Sequence, residues 1–310
     1  MSDALKGLYF FTRFAYSFSA LGYRQQRLFW KDQRTDFRDQ RWLVTGASGG
    51  IGRAITQGAA LHGADVLAAA RSAEKLSQLI DDTGENVTSL QVDLSLTQEI
   101  DRLLDELAVS GSGAKIDVLV NNVGVLLNRH QLSDDGLELS FATNLLNHYR
   151  LTEGLIERDL LADDAVIINM SSGGMYNVPL EIDKLNELDP ERYDGVLAYA
   201  YQKRAQVVLN SWWRERFADR GWQFYVMHPG WVDTEGVKTS LPAFRKLFQH
   251  VLRDAEAGAD TALWLASARP AQDDDGAIWF DRRQRSAHLG SSTRRDSDTP
   301  QALVEFLNSL

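Results

Sequence analysis

The sequence predicts an α/β fold: a doubly wound parallel sheet in a single domain, preceded by a helical extension. Three observations carry this. Short apolar runs recur from residue 41 onward, amphipathic stretches separate them, and a glycine-rich turn joins the first run to the first helix. Apolar runs without polar alternation mark strands buried on both faces, as in a parallel sheet covered by helices. Right-handed crossovers between such strands give the doubly wound arrangement. The 310 residues suffice for one large domain, and no repeat or second composition regime divides them.

Taken in order, Trp42-Leu43-Val44 reads as the first strand and Ile51 to His62 as the first helix of the alternation. Asp65 to Ala70 is a second strand, followed by helix from Ala73 to Asp81. Val87 to Val92 and Ile116 to Asn121 are the third and fourth strands, with helix from Thr97 to Val109 between them. A long helix from Leu137 to Leu161 leads to a fifth strand at Ala165 to Met170. Helix from Ala198 to Ala218 and a sixth strand at Gln223 to Met227 complete the pattern. Helices show apolar residues at a period near 3.6 and strands as short runs, which is what separates them here.

Three segments interrupt the alternation: residues 1–40, Gly173 to Val196 and Asp233 to Glu256. Gly7 to Gly22 is rich in Leu, Phe and Tyr but contains Arg13 and falls short of the about 20 apolar residues a spanning helix needs. No small-residue cleavage site follows it, so a secretory signal is not expected. Phe11, Phe14, Phe18 and Leu21 recur at helical spacing, which predicts an amphipathic helix packed on the body of the protein. Membrane-surface contact, or a cover over a lipophilic substrate, is the competing reading of that helix. The expected division is therefore an extension at 1–40, a core domain at 41–284 with insertions at 173–196 and 233–256, and a polar tail at 285–310. That tail is Ser-rich, expected to be mobile, and ends in a short helix.

Composition excludes several classes of chemistry. Cysteine is absent, which removes disulfides, thiolate catalysis and cysteine-ligated metals, and fits a reducing, cytoplasmic setting. The net charge of −10 disfavours non-specific nucleic-acid binding, and Arg282–Arg283 and Arg294–Arg295 read as solvated surface. Six histidines occur without H-x-x-x-H spacing or a carboxylate cluster, so no metal site is expected.

Between the first strand and helix stands Thr45-Gly46-Ala47-Ser48-Gly49-Gly50-Ile51-Gly52. Glycines at 46, 50 and 52 permit a tight turn and close backbone approach to a pyrophosphate, which the first amides of the following helix would favour. The residue after the second strand selects between the two nicotinamide dinucleotides. An acid there would accept from a ribose 2′-hydroxyl and repel a 2′-phosphate. Here the sequence is Ala69-Ala70-Arg71 with Lys75 following, which favours NADP(H) over NAD(H) through charge-assisted hydrogen bonds. The competing reading of Lys75 is an exposed helix face.

Over roughly residues 41 to 282 the chain resembles the short-chain dehydrogenases/reductases. The residues that carry the likeness are Thr45-Gly46…Gly50-Ile51-Gly52, Asp93, Asn121-Asn122-Val123-Gly124, Asn144, Ser172, Tyr199…Lys203 and Pro229-Gly230, all in the family's order. Met170 to Met175, Tyr199 to Arg204, Met227 to Trp231 and Gly258 to Trp264, with the aromatic extension, point to one subgroup within it. The resemblance implies a Rossmann-type domain and an NAD(P)-dependent oxidoreductase. Two departures stand out: Val123 replaces the usual alanine, and Ser172 and Tyr199 lie 27 positions apart, which we read as a substrate-side insertion.

Tyr199 and Lys203 are four residues apart, so on a helix they share a face. A neighbouring ammonium is expected to lower a phenol's pKa of about 10 toward neutrality and make Tyr199 a general acid/base. Tyr201 lacks this partner, since Ala205 follows it at the same spacing. By resemblance, Ser172 rather than Ser171 holds the substrate oxygen, and Asn144 holds a water linking Lys203 to solvent. Asp93 with Leu94 would meet adenine, and Asn121, Val123 and Gly124 the adenosine ribose. Ser48, Gly49, Pro229, Gly230, Val232 and Thr234 complete the cofactor set, with Thr234 on the nicotinamide carboxamide. The insertions carry Met175, Tyr176, Tyr193, Trp231, Leu241, Phe244, Leu247 and Phe248, which suggests a lipophilic carbonyl or alcohol or, equally, a lid packed on the core. An isomerase or dehydratase on the same scaffold, or a nucleotide-binding scaffold with little turnover, are the alternatives. Helices such as the one bearing Trp212 and Trp213 often pair between subunits in this family, which suggests a homodimer or homotetramer.

Overall fold

A computed structural model of the chain describes residues 12–31, 35–109, 114–272, 277–290, 293–294 and 296–310. Helical residues 12–18 (α1) and Ala20–Arg27 (α2) precede the first strand, Arg41–Thr45 (β1). The alternation continues through Gly50–Leu61 (α3), Asp65–Ala70 (β2), Ala73–Thr83 (α4), Val87–Gln91 (β3), Thr97–Val109 (α5) and Ile116–Asn121 (β4). The expected long helix is a continuous run of Leu139–Phe141 (α6), a π-turn at Ala142–Leu146, and Asn147–Glu157 (α7). Then come Leu161–Met170 (β5), Gly195–Arg216 (α8), Gln223–Met227 (β6), Glu235–Ser240 (α9), Pro242–Phe248 (α10) and Ala255–Ala268 (α11). Ala277–Phe280 (β7), Arg283–Ser286 (β8) and Pro300–Asn308 (α12) close the described chain.

The eight strands form one sheet in the order β3-β2-β1-β4-β5-β6-β7-β8, parallel except for the final antiparallel pair. Register follows the pleat. Leu43 lies beside Leu67 and Leu119, and Val44 beside Ala68 and Val120. Leu43, Leu67, Leu119 and Ile167 face a core built with α5, α7 and α8. Val44, Val120 and Ile168 face the other, built with α3, α4 and α11. Successive strand residues thus enter opposite cores, which explains the unbroken apolar runs.

Helix starts are fixed locally. Ser72 accepts from the Lys75 amide to cap α4, Asp194 accepts from the Val196 and Leu197 amides to cap α8, and Asp254 caps α11. Each satisfies a donor that the first helical turn leaves unpaired.

In the polar tail, mobility is expected for Arg285 to Pro300 and a short helix after it, and the described residues there pack on the body. Arg285 and Ser286 belong to β8, Ala287 and Thr293 are buried, and α12 inserts Leu303, Val304 and Leu307 into the α5–α7–α8 core. Apolar positions at helical spacing, too few to stand out in a polar stretch, pull the segment down. Arg282, read as solvated, pairs with Asp260 at 2.7 Å and stacks over Trp30. The extension does pack on the body, where Phe18 is buried against Tyr176, His228, Trp231 and Phe280. The part of the predicted helix at residues 7–11 lies outside the described residues.

Candidate active site

The glycine turn leaves β1 and opens α3. Gly46 has φ +66, and a Cβ on Gly52 would meet the Gly46 carbonyl at 2.2 Å, so the loop closes on itself only with these residues. Its position is set from β2 and β4. The Ala47 amide donates to the Ala69 carbonyl (3.2 Å), and Asn122 Nδ2 donates to the Thr45 carbonyl (2.8 Å). Thr45 Oγ1 accepts from the Asn122 and Val123 amides at 2.9 and 3.1 Å. Helix α3 begins at Gly49 with no side-chain bond to its amides and no acid in its first turn. A Cβ at Gly49 would meet nothing within 4 Å. Ser48 lies in the same turn, while Ile51 packs against Gly258 of α11 together with Val232. Open amides at a helix start, with backbone free of side chains above them, fit a dinucleotide pyrophosphate.

At the adenosine end, Arg71 follows β2 with its side chain largely exposed, 3.9 Å from Asp93. Lys75 is exposed in the first turn of α4. Asp93 already accepts from the Ser95 amide and hydroxyl through Oδ1, which holds its carboxylate in place at the end of β3. Leu94 is buried, and its carbonyl accepts from Asn147. Asn121 differs from expectation. Its side chain turns into the core, donating to Thr152 Oγ1 and Asn169 Oδ1 at 3.0 Å each, so only its backbone remains for a cofactor. Strand alternation sends Asn121 inward and Asn122 toward the loop. Asn122, which the motif did not single out, is the amide that holds the glycine turn.

The residues expected to transfer protons converge where β4, β5 and α8 meet. Tyr199 lies in the first turns of α8, and Ser172 just beyond β5 is near enough to act on its phenol. The neighbouring Ser171 donates to the Lys203 carbonyl at 3.0 Å. Lys203 is buried with its ammonium 5.5 Å from the Tyr199 ring centre. It donates to the Met170 carbonyl (2.8 Å) and to Gln206 Oε1 (3.0 Å). A Cβ on Gly124 would stand 3.5 Å from Lys203 Nζ and 3.6 Å from Asn144 Oδ1, so the absent side chain keeps this corner open.

Asn144 lies in the π-turn, a distortion that often marks functional helices. Its side chain is fully engaged by the Val125 amide and carbonyl and by Gln202 Oε1, each at 2.8 Å. Its carbonyl accepts from Gln206 Nε2 at 2.7 Å. Gln206 thereby joins the Asn144 carbonyl to the Lys203 ammonium.

Electrostatics depart from the sequence expectation at Tyr199. Burial pushes its phenol above the ordinary value of 10, and only Ser172 pulls the other way. Burial also pushes Lys203 down to about 7. The ammonium is itself desolvated and directs two bonds elsewhere, so it does not overcome the cost of burying a phenolate. His148, behind Gln206, is pushed down to about 3 by burial and then by Lys203.

Substrate-side elements surround this corner. Arg204, next to Lys203, donates to the carbonyls of Met175, Val178 and Ala287 and so fixes the turn after Ser172. Tyr193 donates to buried Glu138, which accepts from Gln202 on α8. Trp231 meets Phe244 edge-on and Phe248 at a tilt, and Phe14 stacks on Tyr176. Leu241 and Leu247 lie on the same lid. Gly230 turns the chain past β6 after Pro229, and its amide donates to His228. Thr234 caps α9, with its methyl group near Gly50.

Similarity to known proteins agrees with this arrangement. The family model for short chain dehydrogenase matches residues 40–181. Human dehydrogenase/reductase SDR family member 12 is 37% identical over 280 residues, covering 87% of this chain and 85% of that protein. The bovine protein of the same name is 36% identical over 282 residues, with the same coverage. Human retinol dehydrogenase 12 is 30% identical, covering 77% of each chain. Among solved structures, an uncharacterised protein from Mycobacterium Paratuberculosis shares the fold with a TM-score of 0.68, at 24% identity over 89% of this chain and 95% of the other. With the Tyr199–Lys203 pair, the glycine turn and these relatives in agreement, the chain belongs to the short-chain dehydrogenase/reductase family of NAD(P)-dependent oxidoreductases.

Proposed function

We propose that the chain is an NADP(H)-dependent oxidoreductase acting on a lipophilic carbonyl or alcohol, with Tyr199 as general acid/base. The observation that carries this is the buried Lys203 ammonium 5.5 Å from the Tyr199 ring centre, with Ser172 beside them at the carboxyl end of the sheet. The bound cofactor supplies or accepts the hydride at the nicotinamide. The remaining work belongs to the protein. Ser172 holds the substrate oxygen, and Tyr199, protonated at neutral pH because burial raises its pKa, donates to that oxygen during reduction. Lys203 holds the cofactor-side geometry of the corner. The same groups serve the reverse oxidation. Asn144, Asn122 and Gly124 keep the loops in register.

NADP(H) selection rests on Arg71 and Lys75 at the end of β2, where no acid stands. The aromatic groups Phe14, Tyr176, Trp231, Phe244 and Phe248 support an apolar substrate, as does similarity to a protein named retinol dehydrogenase. Titrating the protein with NADPH and NADH while following tryptophan quenching tests the cofactor assignment. NADPH should bind at least about tenfold tighter, a margin of about 1.4 kcal/mol, and Arg71→Ala should narrow it. Equal affinities for both nucleotides would overturn the NADP(H) assignment. A screen of aldehydes of increasing chain length with the preferred nucleotide tests the substrate class, and kcat/KM should rise with apolar length.

A further inference from the structure

The buried Lys203 ammonium is held by two hydrogen bonds, and one of its two partners, Gln206, belongs to no motif. Gln206 is one turn further along α8 and is buried. An ammonium can only donate, so the Lys203 bond at 3.0 Å assigns Gln206 Oε1 as the acceptor and Nε2 as the donor. Nε2 then has two targets, the Asn144 carbonyl at 2.7 Å and His148 Nδ1 at 3.2 Å. The other ring nitrogen of His148, Nε2, stands 3.3 Å from Thr45 Oγ1. Thr45 is the residue that receives the Asn122 and Val123 amides at the head of the glycine turn. A chain of polar contacts therefore runs from the ammonium through Gln206 and His148 to the glycine turn.

We propose that Gln206 is a positioning residue of this active site: its amide ties the Lys203 ammonium to the Asn144 carbonyl and to His148, fixing the lysine's place and its contact set. The proposal rests on the reading of Tyr199 and Lys203 as the proton-transfer pair. With Met170 and Gln206 each taking one N–H, a single N–H of the ammonium is left to serve the reacting groups. An amide rotates no proton of its own, so this link anchors the cation rather than conducting protons to solvent. It is also a neutral acceptor. The titratable groups facing Lys203 are Tyr199 on its own helix and His148 on α7, and among the described residues no carboxylate pairs with it.

The test reads the lysine directly and needs no substrate. The chain has eight lysines, so [13Cε]lysine labelling gives few signals, and Lys203→Met identifies the one in question. Gln206→Glu replaces a neutral acceptor by a carboxylate and should raise the Lys203 titration midpoint by at least about one unit. Gln206→Met removes the acceptor at equal length and should lower it. On the best carbonyl from the chain-length screen, Gln206→Met should reduce kcat roughly 10- to 100-fold with little change in KM. The pH limb of kcat should move with the NMR midpoint in each variant. A merely structural glutamine would lower the urea midpoint and leave the Lys203 titration where it was. Unchanged Lys203 midpoints in folded Gln206→Glu and Gln206→Met overturn the proposal. If Gln206→Glu does not fold, Gln206→Met and Gln206→Asn carry the same comparison. Failure of the underlying reading looks different, because Tyr199→Phe and Lys203→Met would then retain turnover.

Discussion

At the scale of single residues the site is governed by burial more than by charge pairing. Tyr199 is expected to remain a phenol through neutral pH, and Tyr199→Phe should cut kcat by roughly 100- to 10,000-fold while leaving nucleotide affinity intact, checked by turnover beside the quenching titration. Lys203 makes a prediction about stability. Its folded pKa, about 7, lies below its ordinary 10.5, so between those values the unfolded chain binds the extra proton. Stability attributable to this residue therefore rises with pH from about 7 to 10.5 and is lowest below 7. Lys203→Met should raise the urea midpoint near pH 7 and flatten the rise toward pH 10; an equal slope in both proteins would contradict it. The residues proposed for the chemistry could be singled out in the sequence because helical spacing puts Tyr199 and Lys203 on one face and the family's order selects Ser172. Those that hold them could not. Nothing in Asn121-Asn122 says which amide turns inward, and Gln206 gains its role from a π-turn that exposes a carbonyl to it.

At the scale of elements the extension behaves as part of the domain. Arg253, wholly buried, forms a two-pronged ion pair with Asp281 and donates to the carbonyls of Ser17 and Phe18. The Trp231 amide adds a bond to Phe18, and the Ala20 amide one to Val251. Asp281 reaches Arg253 because the β7–β8 turn holds Asp281 and Arg282 both at positive φ. Removing the cation leaves a carboxylate buried and alone, so Arg253→Ala should cost about 3–5 kcal/mol. Limited trypsinolysis should then open Arg24 and Arg27 before the sheet unfolds, whereas cleavage no faster than in the parent would show the extension to be held otherwise. The six strands of the alternation were readable from apolar runs. The last two were not, for physical reasons. β7 is four residues long, and β8, Arg-Gln-Arg-Ser, is a polar edge strand with no apolar face to announce it. The lid helices α9 and α10 bury no residue fully, so their pattern carried little signal.

At the scale of the whole molecule two surfaces decide what else the chain meets. The face of α8 suggested for subunit pairing is occupied from within. Trp213 is buried between Tyr149 and Phe224 and bonds Glu153, and α12 covers this side with a Tyr149–Asn308 bond and a Phe141–Phe306 contact. The full chain should therefore run as a monomer in light scattering, and a chain ending before Thr299 should self-associate; a dimer of the full chain would return pairing to another face. The second surface is the extension. Residues 12–31 hold four cations and no acid, against a chain of net charge −10. Tyr16, Leu21, Leu28 and Phe29 stand more than half exposed there, and Leu247 of the lid is exposed near the point where Ala20 meets Val251. Among the described residues no helix is long and apolar enough to cross a membrane. Cations flanking exposed aromatic and aliphatic groups suit the boundary of an anionic bilayer, each cation adding about 1 kcal/mol near such a surface. We propose that this face rests on a membrane and lets an apolar substrate reach the lid from the lipid. Sedimentation with phosphatidylserine-containing vesicles should carry the protein down at low salt. Charge reversal at Arg24 and Arg27 should release it, as should neutral phosphatidylcholine vesicles. Equal recovery in the supernatant under all three conditions would leave the face without this partner, and turnover of a long-chain substrate would then not respond to vesicles at all.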